Sequence, residues 1–192
     1  MFNVSNHLAK IKSATNVSEK HGKERIPAIS IGLFLVGSGA LLDQFDTMLR
    51  TTLYRKPMPS PGALPLETEE LNEVRFPFMR NLAWSQKYAG YQLRIRIGAT
   101  GKDDVLLSEC TLKDIHFVTQ EGGNVGVQFK VSAHPLNEID HGRIAQRLQQ
   151  EVFIDLIPPE KAPSLFDEEE SDEDGDPFAG SDLATDDTRI DA

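Results

Sequence analysis

Apolar and polar residues alternate with a period of two along most of this chain. Residues 7–17, HLAKIKSATNV, set Ala9, Ile11 and Ser13 against Lys10 and Lys12, the pattern of a strand with one buried face. Residues 26–36 repeat it, with Ile29, Ile31, Leu33 and Leu35 on one side. The polar, glycine-bearing stretch 19–24 then joins the two strands as a hairpin whose turn is longer than the tight types. Further on, Tyr91, Leu93, Ile95 and Ile97 alternate with Gln92, Arg94 and Arg96. Residues 105–117 read as extended with a break near Lys113-Asp114, and Glu121-Gly122-Gly123-Asn124 marks a turn. Val125, Val127, Phe129, Val131 and Ala133 then alternate with Gly126, Gln128, Lys130 and Ser132, and 152–157 is a last strand closed by Pro158-Pro159.

The period changes twice. Leu42, Phe45, Leu49 and Leu53 fall at helical spacing after Ser38, which predicts an amphipathic helix over 39–54 with Ser38 as its N-cap. A second, short helix is predicted over 137–150 around Ile144 and Leu148. Between them, 57–78 is proline-studded and acidic and reads as a long surface excursion, with a turn of helix at 67–73. Six or seven strands and two short helices place the fold in the mainly β class, a β-rich α+β arrangement. The expected form is a curled antiparallel sheet or an oligonucleotide-binding (OB)-like barrel, because such sheets must dispose of their edges.

Charge divides the chain differently. Residues 161–192 hold twelve Asp or Glu against Lys161 and Arg189, so this stretch alone carries the net −10, and residues 1–160 are neutral. Composition this acidic cannot bury enough apolar area to offset ordering entropy. The expected organisation is a globular domain over 1–160 and a disordered acidic tail over 161–192. Within the domain, residues 1–56 carry a charge of +4, so an anionic partner is compatible with the low overall pI.

Catalytic chemistry finds little support. The five histidines, at 7, 21, 116, 134 and 141, stand outside any metal-ligand spacing. His134 and His141, with Asp140, are the nearest approach to a cluster. Cys110 lies in an expected strand with no base beside it, the setting of a structural thiol. Gly98-Ala99-Thr100-Gly101-Lys102 has its second glycine too early for a phosphate loop and is read as a hairpin turn. The chain is expected to be nonenzymatic and without cofactor or metal. One cysteine, no secretion-signal layout in MFNVSNHLAK and no apolar run long enough to cross a bilayer point to the cytoplasm, with no membrane partner.

Nucleic-acid binding has more behind it. Lys10 and Lys12, Arg94 and Arg96, and Lys130 occupy the polar sides of alternating strands. If those strands adjoin, they form one basic face, with Trp84, Tyr88 and Tyr91 (and Tyr54) available to stack bases. The competing reading is that these are ordinary solvated strand faces and that Trp84 is core.

Residues 167–178, DEEESDEDGDPF, resemble the acidic Pro-Phe tip of bacterial and phage single-stranded-DNA-binding proteins. In that family an oligonucleotide-binding barrel precedes a disordered tail that recruits replication and repair proteins. The resemblance implies partner contacts by Asp174, Asp176, Pro177 and Phe178. Fourteen residues follow Phe178 here, so the family's terminal carboxylate is absent at that point. The small size and general style also resemble a bacteriophage accessory protein, which would act in the host cytoplasm.

The expected function is therefore single-stranded-DNA binding in replication or recombination, with a tail that regulates occupancy or recruits a protein. A 32-residue flexible chain spans about 30 Å, enough to compete with phosphates at an effective concentration on the order of millimolar. Two other readings stand beside it. One is an acidic adaptor or nucleic-acid mimic that binds a basic host protein through 167–187. The other is a structural or assembly component with 57–78 as its contact arm.

Overall fold

A computed structural model describes residues 1–21, 24–58, 70–98, 100–134 and 137–160. Met1–Glu160 form one unit by their internal contacts. Its strands are β1 (Val4–His21), β2 (Glu24–Ser38), β3 (Tyr54–Arg55), β4 (Glu73–Val74), β5 (Leu82–Trp84), β6 (Tyr88–Arg96), β7 (Val105–Thr119), β8 (Asn124–Ala133) and β9 (Glu151–Ile157). The main sheet runs β5-β7-β6-β9-β1-β2-β8, and β7 also pairs with β8. That extra pairing joins six strands into a closed, wholly antiparallel ring, β1-β2-β8-β7-β6-β9, with β5 added outside it. The protein is mainly β, as the alternation predicts. An OB-fold ring has five strands; this one has six.

Closure is possible because β7 serves two neighbours in succession. Its first half pairs with β6, from Ile95↔Val105 to Tyr88↔Leu112, and its second half with β8, from Thr111↔Ser132 to Thr119↔Val125. β5 continues the β6 side of the second half through Trp84↔Ile115 and Leu82↔Phe117. Register shifts interrupt β1 between Val4 and His7, β6 between Tyr91 and Leu93 and β7 between Lys113 and His116. Three residues near them, Asn6, Glu109 and Asp114, adopt φ of 48°, 52° and 52°. Bulges of this kind bend a strand and increase its local twist, which a small barrel requires.

The inward side chains are those that the alternation predicts. Ile11, Ile31, Leu33, Leu93, Ile95, Val127, Phe129, Val131 and Ile154 are fully buried. One end of the core is filled by stacked and edge-on rings: Phe2 against Phe45 at 4.7 Å, Phe45 against Phe117 at 4.8 Å and Phe2 against Phe129 at 5.6 Å.

Three expected elements come out differently. The helix over 39–54 is a 3-10 turn, Gly39–Gln44, followed by α1 (Leu49–Leu53). The break is chemical, because Asp46 Oδ1 accepts the Met48 N–H at 2.7 Å and this side-chain turn competes with helix propagation. Leu42 and Leu53 are nevertheless buried and Phe45 and Leu49 pack on the core, so the apolar face was real although its helix is not continuous. Backbone pairing of β1 with β2 extends to His21↔Glu24, well past the end of the apolar alternation, where a six-residue turn was expected. α2 (Glu138–Gln146) is capped by the Asn137 side chain and buries Ile144, but Leu148 beyond it is 38% exposed. Of the excursion, 59–69 lie outside the described residues; 70–72 are not helical, and β4 pairs with β3.

Gly126 shows how tightly the outer surface is fitted. Phe34 lies beside it on β2, and a Cβ at Gly126 would stand 2.8 Å from the Phe34 ring. We expect Gly126→Ala to lower stability by about 1 kcal/mol, the ring having to shift from its seat. Urea denaturation should show that cost largely removed in a Phe34→Ala background, as a coupled pair requires.

Candidate nucleic-acid interface

The five cations singled out by sequence all point outward, but the ring order separates them. Lys10 and Lys12 are on β1, Lys130 on β8, and Arg94 and Arg96 on β6. In the order β1-β2-β8-β7-β6-β9 these strands alternate with others, so no two of them adjoin. A single basic face made of all five residues is not what the barrel presents.

Three of the five are also held by carboxylates. Arg96 binds Asp155 through Nε at 2.8 Å and Nη2 at 3.0 Å. Arg94 binds Asp104 at 2.7 Å and Lys130 binds Asp114 at 2.9 Å. The Asp155 side chain is only 8% exposed. Burial works against its ionisation, but the Asn6 N–H, the Arg96 guanidinium and the Ser5 hydroxyl outweigh that, leaving the carboxyl below its ordinary value. Asp104 is likewise depressed: burial is outweighed by the Ile97 N–H and Arg94. Arg94 and Arg96 line a cleft of about 430 Å³ with Gln92, Leu106, Asp155 and Ile157. Each guanidinium has its own carboxylate, Asp104 for Arg94 and Asp155 for Arg96, so neither is an unpaired cation in this structure.

Two of the aromatic residues are corrected by their burial. Tyr91 and Tyr54 are fully buried and have no ring face to offer a base. Tyr91 shares the inward period of Leu93 and Ile95, and the Tyr54 hydroxyl donates to the Asn124 carbonyl. Trp84 packs edge-on against Phe45 and Phe117, each at 6.0 Å, and its indole N–H donates to the Tyr88 hydroxyl at 2.9 Å. Tyr88 in turn lies 6.4 Å from Phe45. Trp84 and Tyr88 are half-buried members of the ring cluster that fills the barrel end.

What the fold does assemble is a smaller face across β1, β2 and β8. Lys10 is paired in register with Phe34, and Phe34 with Gln128. Lys12 is exposed where β1 shifts register, its ammonium 4.8 Å from the centre of the Phe34 ring and 3.5 Å from Gln128 Oε1. Lys130 lies opposite Gly32, and His116 opposite Gln128. Gly32 on the middle strand is itself buried, with the Ser13 hydroxyl of β1 lying where its Cβ would stand. Phe34 was missed in the sequence, although its position between the inward Leu33 and Leu35 places it outside.

The remaining candidates do not gather. His141 bonds Asn16 Oδ1 at 2.8 Å, and among the described residues no three His, Cys, Asp or Glu side chains are placed to hold a metal. Burial pushes the Cys110 thiol up to about 12, so it is inert as a nucleophile at neutral pH. No helix among the described residues is long and apolar enough to cross a membrane. Asp174, Asp176, Pro177 and Phe178 lie outside the described residues. Comparison with protein-family models, curated proteins and solved structures finds no match.

The Arg96–Asp155 pair generates a test. Arg96→Gln leaves a buried carboxylate with fewer donors and should cost about 1–2 kcal/mol at pH 7, the lower part of the range because the guanidinium is partly solvated. A depressed carboxyl contributes stability above its unfolded value, and that contribution is lost as pH falls through the folded one. The difference between wild type and Arg96→Gln in urea denaturation should therefore shrink below about pH 4.

Proposed function

We propose that this chain is a nonenzymatic single-stranded-DNA-binding accessory protein of replication or recombination that uses the β1–β2–β8 face. The observation that carries the reading is the Lys12 ammonium placed over the outward ring of Phe34, with Gln128 beside it and Lys10 opposite that ring. A cation and an aromatic face in contact are the two groups that hold a single strand without reading its sequence. On binding, Lys12 moves from the ring to a phosphate and a base takes its place on Phe34. Lys10 adds a second phosphate contact, and Lys130 a third by leaving the exposed side of Asp114. The acidic tail supplies competing carboxylates or recruits a protein partner.

Such binding is weak and salt-sensitive. Three phosphate contacts on a single strand give a slope of about −2 in log affinity against log salt. On labelled oligothymidine, the Lys10→Gln/Lys12→Gln double variant should lower that slope by about 1.4. Phe34→Ala should weaken binding at every salt concentration. Residues 1–160 should bind more tightly than the full chain at low salt if the tail competes. Absence of binding by either form at low salt ends the proposal.

A second reading, docking of a protein, draws on one observation. Phe153 and Leu8 lie opposite each other on β9 and β1, and with Val36 on β2 they are 47%, 41% and 43% exposed. An apolar row on adjacent strands is a contact surface for an assembly component. A protein that forms discrete oligomers by light scattering, lost in Leu8→Asn, and that ignores oligothymidine would favour it.

A further inference from the structure

The segment RFPFMR, residues 75–80, leaves the barrel as an ordered turn with its apolar groups outward. The Met79 N–H donates to the Phe76 carbonyl at 3.0 Å, closing a turn around Pro77-Phe78. Proline at the second position of such a turn has its φ already set. Both ends are tied down: the Arg75 N–H donates to the Leu53 carbonyl at 2.8 Å, and the Thr119 hydroxyl donates to the Met79 carbonyl at 3.4 Å. At the tip Phe78 is 97% exposed, the most exposed of the described large apolar side chains, with Phe76 and Met79 exposed on either side. A backbone held this firmly gives Phe78 no local apolar surface to fold against.

The arginines around it are equally distinctive. Arg50, Arg55, Arg94, Arg96 and Arg143 each hold a carboxylate, and Arg147 holds Gln150. Arg75 and Arg80 are exposed and have no side-chain partner among the described residues. Five arginines are thus held by carboxylates, whereas the two that bracket the exposed aromatic tip have no carboxylate partner among the described residues.

We propose that this turn is a second contact for single-stranded nucleic acid, in which Phe78 stacks on a base and Arg75 and Arg80 hold the flanking phosphates. This rests on the function proposed above and extends its site. Cation, aromatic ring and cation in series match the phosphate, base and phosphate of a single strand. Guanidinium suits the task because it pairs with phosphate through two parallel N–H donors. The turn is also anchored beside a strand of the first face. Thr119, which anchors it, pairs with Val125 on β8, and Val125 is three residues, about 10 Å, along that strand from Gln128. A lipid surface is the less fitting occupant. One fully exposed ring with two part-exposed neighbours buries less than the acyl chain that by itself gives only marginal membrane binding.

The test uses the full chain with Phe78→Ala and Arg75→Gln/Arg80→Gln, on labelled oligothymidine at several salt concentrations and on vesicles of phosphatidylserine and phosphatidylcholine. Phe78→Ala should weaken oligothymidine binding about tenfold at each salt concentration without changing the slope, the signature of lost stacking. The arginine double variant should reduce the slope by about 1.4. Melting temperatures equal to wild type confirm that these surface changes leave the fold intact. If Phe78→Ala binds oligothymidine like wild type while Lys10→Gln/Lys12→Gln loses affinity, the turn is not a contact and the first face stands alone. If wild type itself does not bind, both proposals fall. Vesicle binding that Phe78→Ala abolishes, with oligothymidine binding unchanged, overturns this inference in favour of a lipid surface.

Discussion

The pairing of β7 with β8 is the constraint on which the rest of this structure depends. Without it the strands would form an open sheet with two unpaired edges. With it, six strands share one buried interior, and every outward residue has its direction fixed by its place in the ring. A fifteen-residue strand can serve β6 with its first half and β8 with its second only by bending. The bend falls where Glu109 and Asp114 take positive φ, a conformation unfavourable for residues with a Cβ and sustained here by the surrounding pairing.

The same bends shape the electrostatics of the outer surface. Asp114, at the irregularity of β7, turns its carboxylate to Lys130. Asn6, at the irregularity of β1, turns its backbone N–H to Asp155 at 2.6 Å, and Asp155 holds Arg96. Barrel closure thus does two things to the cations that the sequence scatters along its strands. It distributes them around the ring, and it brings carboxylates to several of them. Lys12 on the barrel face, and Arg75 and Arg80 at the projecting turn, are cations in no ion pair among the described residues, and Lys10, opposite Glu151 on β9, is in none either. Each set stands beside an outward phenylalanine.

Much of this was legible in the residues. Period-two alternation located the long strands and their buried faces, because burial on one side of a pleated strand leaves that mark directly. It also held the answer for Tyr91, which shares the inward period of Leu93 and Ile95, and for Phe34, which lies between two inward leucines. Ring order was not legible, since alternation says which face a residue takes and nothing about which strand lies alongside. For that reason Arg94 and Arg96 read as companions of Lys10, and the Asp155 that holds Arg96, fifty-nine positions away, gave no local signal. The helix over 39–54 failed for a local reason that spacing does not report, the competition of the Asp46 carboxylate for a backbone N–H. The exposed turn at 76–79 had its Pro-Phe pair in plain view, but only the fold shows that Phe78 is left uncovered by the described residues.

The central claim is that the functional surface is the pair of unneutralised cation–aromatic sites and not the arginines of β6. Titration of the isotope-labelled protein with short oligothymidine, followed by amide chemical shifts, tests it most directly. The account predicts shifts at Lys10, Lys12, Phe34, Gln128 and the 75–80 turn, with Arg94, Arg96 and Asp155 unmoved. Shifts concentrated at Arg94, Arg96 and the cleft they line, or no shifts at all, would contradict it.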